Sequence, residues 1–163
     1  MQMDSSFSKL KPAERQSLLA SGSSRTYRPG EIILRQGGGR EETIYVIARG
    51  AVRIERELRV RASYRLDAYG RPVRETPSSS VMERTRLVLQ RLAKGSIFGE
   101  MSFLIHATGT TDVVAEEEAE IIHIPRGAVK QMMDTTPGFA GRFYHSLAVT
   151  LTRRIRQTNK LVV

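Results

Sequence analysis

Ser96-Ile97-Phe98-Gly99-Glu100-Met101-Ser102-Phe103-Leu104, followed by Thr108-Gly109-Thr110-Thr111 and then by Val113-Val114-Ala115, is the stretch whose reading decides the fold. An Ile-Phe pair runs into a glycine, the glycine into a short helix-like run, and a polar segment then returns to β-branched residues. A glycine turn ahead of a short helix leaves backbone N–H groups without intrahelical partners, and such groups can face an anion. A carboxylate at the start of that helix either satisfies its dipole or accepts hydrogen bonds from the hydroxyls of a sugar. Gly99 and Glu100 fit those two jobs, and Ser102, Thr110 and Thr111 offer hydroxyls to the same ligand.

Outward toward the N-terminus, turn signals alternate with short β-branched runs. Pro29-Gly30, Gly37-Gly38-Gly39 and Gly50 separate segments at 24–27, 31–35, 43–48 and 51–57. Ile32 and Leu34, then Ile44, Val46 and Ala48, then Val52 and Ile54 repeat at period two, so each strand is expected to have an inside and an outside. Ahead of them, Pro12 stands where a first helical turn tolerates a missing N–H, and 13–20 reads as a short amphipathic helix ending before Ser21-Gly22. Asp67, Gly70, Pro72, Pro77 and Ser78-Ser79-Ser80 break any regular pattern, so about 59–83 reads as an inserted loop, carrying Arg61, Arg65, Arg71 and Arg74. A strand resumes at 86–92 before the Lys94-Gly95 turn.

Beyond Thr111, 112–115 and 119–124 read as the last two strands, separated by Glu116-Glu117-Glu118 and closed by Pro125. Helical character follows over 126–134. Phe139, Phe143, Leu147, Leu151 and Ile155 then recur every four residues, which makes a long helix with one apolar stripe, fit for core packing or for a dimer seam.

Three phrases in series, Arg28-Pro29-Gly30-Glu31-Ile32-Ile33-Leu34-Arg35-Gln36-Gly37, Ile44-Tyr45-Val46-Ile47-Ala48-Arg49-Gly50 and Phe98-Gly99-Glu100, resemble the cyclic-nucleotide-binding domain family of catabolite activator proteins and protein kinase A regulatory subunits. The resemblance runs from Phe7 to about Asn159. It implies a mainly β fold with flanking helices: a double-stranded β-helix, or jelly roll, with a short N-terminal helix, a cassette helix and a long C-terminal helix. We read one domain over 1–163, with a helical segment at 1–22, the jelly roll at 24–124 and the C-terminal helices at 126–160.

The resemblance also implies a ligand site at Phe98, Gly99, Glu100, Met101, Ser102, Gly109, Thr110 and Thr111, with Glu100 on the ribose 2′-hydroxyl and cyclic AMP or cyclic GMP as ligand. In the family an arginine of the segment after the cassette pairs with the cyclic phosphate; here its place falls on Gly109. Losing that charge-assisted contact removes roughly 1.5–3 kcal/mol, about one to two decades of affinity, unless backbone amides, the two threonines or an arginine borrowed from the inserted loop compensate. The implied mechanism is a sensor: ligand draws in the cassette and the long helix shifts, acting on an output domain or partner protein outside this chain. The alternative is a degenerate, ligand-free version of the fold that binds a protein or an anionic surface through its arginines.

Composition narrows the field further. With no cysteine, there is neither a disulfide framework nor a thiolate metal site, and a cytoplasmic setting, or a cytoplasmic domain of a membrane protein, is the expectation. His106, His123 and His145 stand too far apart in sequence for a metal motif, the glycine triplet lacks the Lys-Ser/Thr of a P-loop, and no nucleophile motif stands out, so no metal and no enzyme activity are expected. A formal charge of +9 favours an anionic partner without choosing one. Sequence-specific DNA binding is not expected, because the chain ends at Val163 before a helix-turn-helix could begin.

Overall fold

The computed structural model describes residues 6–38, 42–61, 64–74 and 82–160. Helix α1 (Pro12–Ala20) starts at its proline, and the Lys11 backbone N–H donates to the Glu14 carboxylate at 3.0 Å, one half of a capping box. The chain then enters β1 (Ser23–Tyr27), β2 (Ile32–Leu34), β3 (Thr43–Arg49) and β4 (Ala51–Arg61). After β5 (Tyr64–Leu66), β6 (Pro72–Arg74), β7 (Met82–Ala93) and β8 (Ile97–Phe98) comes the cassette helix α2 (Glu100–Ile105). β9 (Asp112–Ala115), β10 (Ala119–Pro125), α3 (Arg126–Thr135) and α4 (Phe139–Asn159) complete it.

Two antiparallel four-stranded sheets, in the orders β1-β10-β3-β8 and β2-β9-β4-β7, face each other as the roll, and β5 pairs with β6 separately. The fold is therefore mainly β with flanking helices, as the sequence reading expects. The strand pattern is more heavily buried than a one-sided sheet. Ile44 and Val46 pack with Leu18, Phe103, Ile124, Val129, Phe139, Phe143 and Leu147 in a core shared with the helices. The alternate residues Tyr45 and Ile47 pack with Val52, Phe98, Val113, Ala115 and Ile121 in a second core inside the roll. Both faces of β3 are covered, which is why it is apolar at consecutive positions.

The segment expected as an irregular loop at about 59–83 differs from that expectation. β4 and β7 stay paired in register out to Arg61 opposite Met82, so its flanks form a two-stranded ribbon rather than open chain. Within the ribbon's end, Asp67 closes a turn by accepting from the Tyr69 and Arg71 N–H groups, each at 2.9 Å, and ion-pairs with Arg71. Residues 62–63 and 75–81 lie outside the described residues, as do the side chains of Arg61, Arg65 and Arg74.

α4 ends at Asn159, within the 126–160 expected for the C-terminal helices and one turn past the last stripe residue, Ile155. Its first half is anchored in the helical core through Phe139, Phe143 and Leu147, with rings of Phe7, Phe103 and Phe139 all within 6 Å of Phe143. Its second half leaves that core: Leu151 is half-buried and Ile155 is 60% exposed. One apolar stripe thus serves two surroundings.

Candidate functional site

Gly99 makes the turn into α2 with φ of 81°, in the left-handed region. A Cβ there would lie 2.7 Å from Tyr45 Cδ2 and 2.9 Å from the Thr43 carbonyl oxygen, so a glycine is required both by conformation and by space. This turn delivers Glu100, which is buried, to the wall of a cavity of about 720 Å³, within the range of roughly 300–1,000 Å³ common for small-molecule sites.

All of the site residues expected from sequence, Phe98, Gly99, Glu100, Met101, Ser102, Gly109, Thr110 and Thr111, line this one cavity. Strand β8, the cassette helix with its glycine turn and the segment before β9 converge to bring them together. Met101 is half exposed at the rim, whereas Phe98 is buried, stacked on Tyr45 with ring centroids 5.0 Å apart. Gly109 has no positive φ, and a Cβ on it would stand 3.5 Å from the Arg35 carbonyl oxygen, an ordinary contact. Its carbonyl accepts from the Gly37 N–H at 2.7 Å, while the Gln36 N–H donates to Asp112 at 2.6 Å. The turn after β2 is thereby fastened to the segment that carries Thr110 and Thr111.

Two arginines that the sequence reading did not place in the site also line the cavity. Arg154 reaches in from α4: its Nη1 donates to Glu100 Oε1 at 2.7 Å, and its Nη2 donates to the Ile97 carbonyl. Both partners are nearly buried, with side-chain exposures of 11% for Arg154 and 6% for Glu100, and the Arg154 Nε is buried without a hydrogen-bond acceptor. Arg35, at the end of β2, is exposed and lines the same cavity. Leu151, Arg154, Ile155 and Thr158 share one face of α4 and close the cavity on that side. The signal for them was the continuation of the Phe139 stripe to Leu151 and Ile155, with Arg154 adjoining it.

The other end of α2 is also held by an arginine. Arg126, the first residue of α3, donates to the Phe103 carbonyl, lies 4.6 Å over the Phe103 ring and ion-pairs with Glu42 at 3.0 Å. His106, in the left-handed region with φ of 53° at the end of α2, contacts the same Glu42 at 2.6 Å. The cassette helix is thus gripped at its start by α4 and at its end by α3. Among the described residues no cluster of three or more His, Asp or Glu could hold a metal ion. No helix among the described residues is long and apolar enough to cross a membrane.

The sequence of residues 78–136 matches the model of the cyclic nucleotide-binding domain family. Among curated proteins the chain is 28% identical over 133 residues to cyclic GMP-binding protein C of Dictyostelium discoideum, an alignment that takes in 81% of this chain and 4% of that protein. The chain therefore spans only a small fraction of the length of that relative. Among solved structures, a cyclic nucleotide-binding domain from Methylobacillus flagellatus aligns with a TM-score of 0.71 at 16% identity, over 94% of this chain and 72% of that one. The catabolite activator protein of Thermus thermophilus aligns with a TM-score of 0.65 at 25% identity, over 96% of this chain and 60% of that one. With its paired sheets, its glycine turn into a short helix and its match to the family's model over residues 78–136, the chain is similar to cyclic nucleotide-binding domains in both sequence and fold.

Proposed function

We propose that this chain is a regulatory module that binds a cyclic nucleotide in the cavity beside α2 and transmits occupancy to α4. The observation that carries the reading is the Arg154–Glu100 pair: the carboxylate best placed for a ribose hydroxyl is held by the helix that closes the cavity. A sugar hydroxyl donating to Glu100 competes with Arg154 for the same oxygens, so ligand and helix position become linked. The Arg154 contacts and the 2.9 Å bond from Gln90 to Gln157 are among the ties that hold the distal half of α4 there, whereas its first half is fixed in the core. The moving part is therefore the segment after Thr150. The module works by binding alone, with no catalytic step, and the output it regulates belongs to a partner or a further domain. The curated relative's name supports cyclic GMP as one ligand to try, beside cyclic AMP.

A thermal-shift titration with cyclic AMP, cyclic GMP and a cyclic dinucleotide, at low and moderate salt, tests this reading. A saturable, salt-tolerant rise for one of them supports it, because a ligand that binds only the folded state stabilises by RT ln(1 + [L]/Kd). A flat response to all contradicts it and favours a ligand-free interaction domain. That second reading has an observation of its own: Arg56, Arg59, Arg84 and Arg86 stand exposed along the β4–β7 ribbon, a surface suited to an acidic partner.

A further inference from the structure

Among the described residues, three charged ones line the cavity: Glu100, Arg154 and Arg35. Glu100 and Arg154 neutralise each other at 2.7 Å, which leaves Arg35 as the charged lining residue without a partner among the described residues. Among the described residues the Arg35 side chain makes no hydrogen bond or ion pair, and yet its backbone is fixed. The Gly38 N–H donates to its carbonyl at 3.0 Å, Gly37 bonds to Gly109, and Gln36 bonds to Asp112, so the turn cannot drift from the Thr110–Thr111 rim. An arginine in a turn fastened to the segment that carries two hydroxyls, with its donors free among the described residues, has the chemistry of an oxyanion clamp.

We propose that Arg35 is the anion-binding residue of this cavity, supplying from the turn after β2 the guanidinium that meets the ligand's phosphate. A neutral nucleoside leaves Arg35 unused, so the contact favours a ligand that carries negative charge. Thr110 and Thr111 add neutral hydroxyl donors, and Arg154 stays with Glu100 or with the Ile97 carbonyl. Because the cation comes from the turn after β2, the segment before β9 can carry Gly109 without losing the phosphate contact. The inference rests on the reading of the cavity as a nucleotide site.

Calorimetric titration of the full chain with cyclic AMP, cyclic GMP, adenosine and guanosine tests it, using the unaltered chain, Arg35→Gln and Arg35→Lys. The unaltered chain should bind a cyclic nucleotide more tightly than its nucleoside. Arg35→Gln should weaken the cyclic nucleotide by about ten- to a hundredfold and leave the nucleoside unchanged, with Arg35→Lys recovering part of the loss. An unchanged melting temperature for both variants is expected from the exposure of Arg35 and shows that the fold is intact. If the unaltered chain binds a cyclic nucleotide and Arg35→Gln binds it equally well, the assignment to Arg35 is overturned while the site reading stands. Equal binding of nucleoside and cyclic nucleotide overturns the anion contact, and no binding of either overturns the site reading together with this one.

Discussion

Arg154 donates to Glu100 at 2.7 Å across 54 residues of sequence, joining the far half of the last helix to the first residue of the cassette helix in a nearly dry setting. Removing one partner of such a pair strands the other. Arg154→Ala should therefore destabilise the fold by about 3 kcal/mol or more, and Arg154→Met combined with Glu100→Gln by clearly less than the sum of the single changes. Chemical denaturation of the four members of the cycle measures this, and additive effects would show that the pair is not coupled.

Gly99 is fixed by two independent constraints, its φ of 81° and the Tyr45 ring 2.7 Å from where a Cβ would stand. Gly99→Ala should cost about 1–3 kcal/mol and displace Glu100 along with α2. The same variant should lose ligand binding to a greater degree than its loss of stability explains, read by titration well below its melting temperature.

Gly109 has neither constraint, since its φ is not positive and its nearest neighbour beyond the adjoining chain is the Arg35 carbonyl oxygen at 3.5 Å. Gly109→Arg should fold normally and tighten cyclic-nucleotide binding by about tenfold through a second guanidinium at the rim. A folded variant with unchanged affinity would show that this backbone does not aim its side chain at the ligand.

The acid limit of stability should depend on the helix packing, far from the cavity. Arg142 of α4 hydrogen-bonds Glu14 of α1 and holds its carboxyl below the ordinary 4.5, against desolvation that pushes it up, with the Lys11 N–H as a further lowering contact. A carboxyl depressed in the folded state is protonated first in the unfolded state, so its stabilisation is complete above about pH 4.5 and is lost as pH falls through the folded value. Glu14→Gln should flatten that part of the stability profile in urea denaturation series between about pH 6 and pH 3.

Much of this organisation can be read in the sequence, because strand, turn and cassette signals are local. Phe98-Gly99-Glu100 announces the turn into α2, and Pro12 and Pro125 stand at the borders of α1 and α3. What the sequence concealed depends on approach through space. The apolar run Ile44–Ile47 gives no sign that helices cover one face of β3 and the roll covers the other. Arg154 looks like one more cation on a basic helix end until α4 folds back over the cavity, and Arg35 looks like a solvated strand end until Gly37 ties it to Gly109. The ribbon continued past the expected loop boundary because cross-strand pairing, not local propensity, sustained it as far as Arg61 and Met82.

The central claim is that cavity occupancy and the far half of α4 are coupled through Glu100. Amide hydrogen exchange with and without a saturating cyclic nucleotide measures that coupling directly. Changed protection in both 99–105 and 151–159, with 12–20 unaltered, is the predicted result. Binding that alters exchange around the cassette and leaves 151–159 untouched would contradict the account.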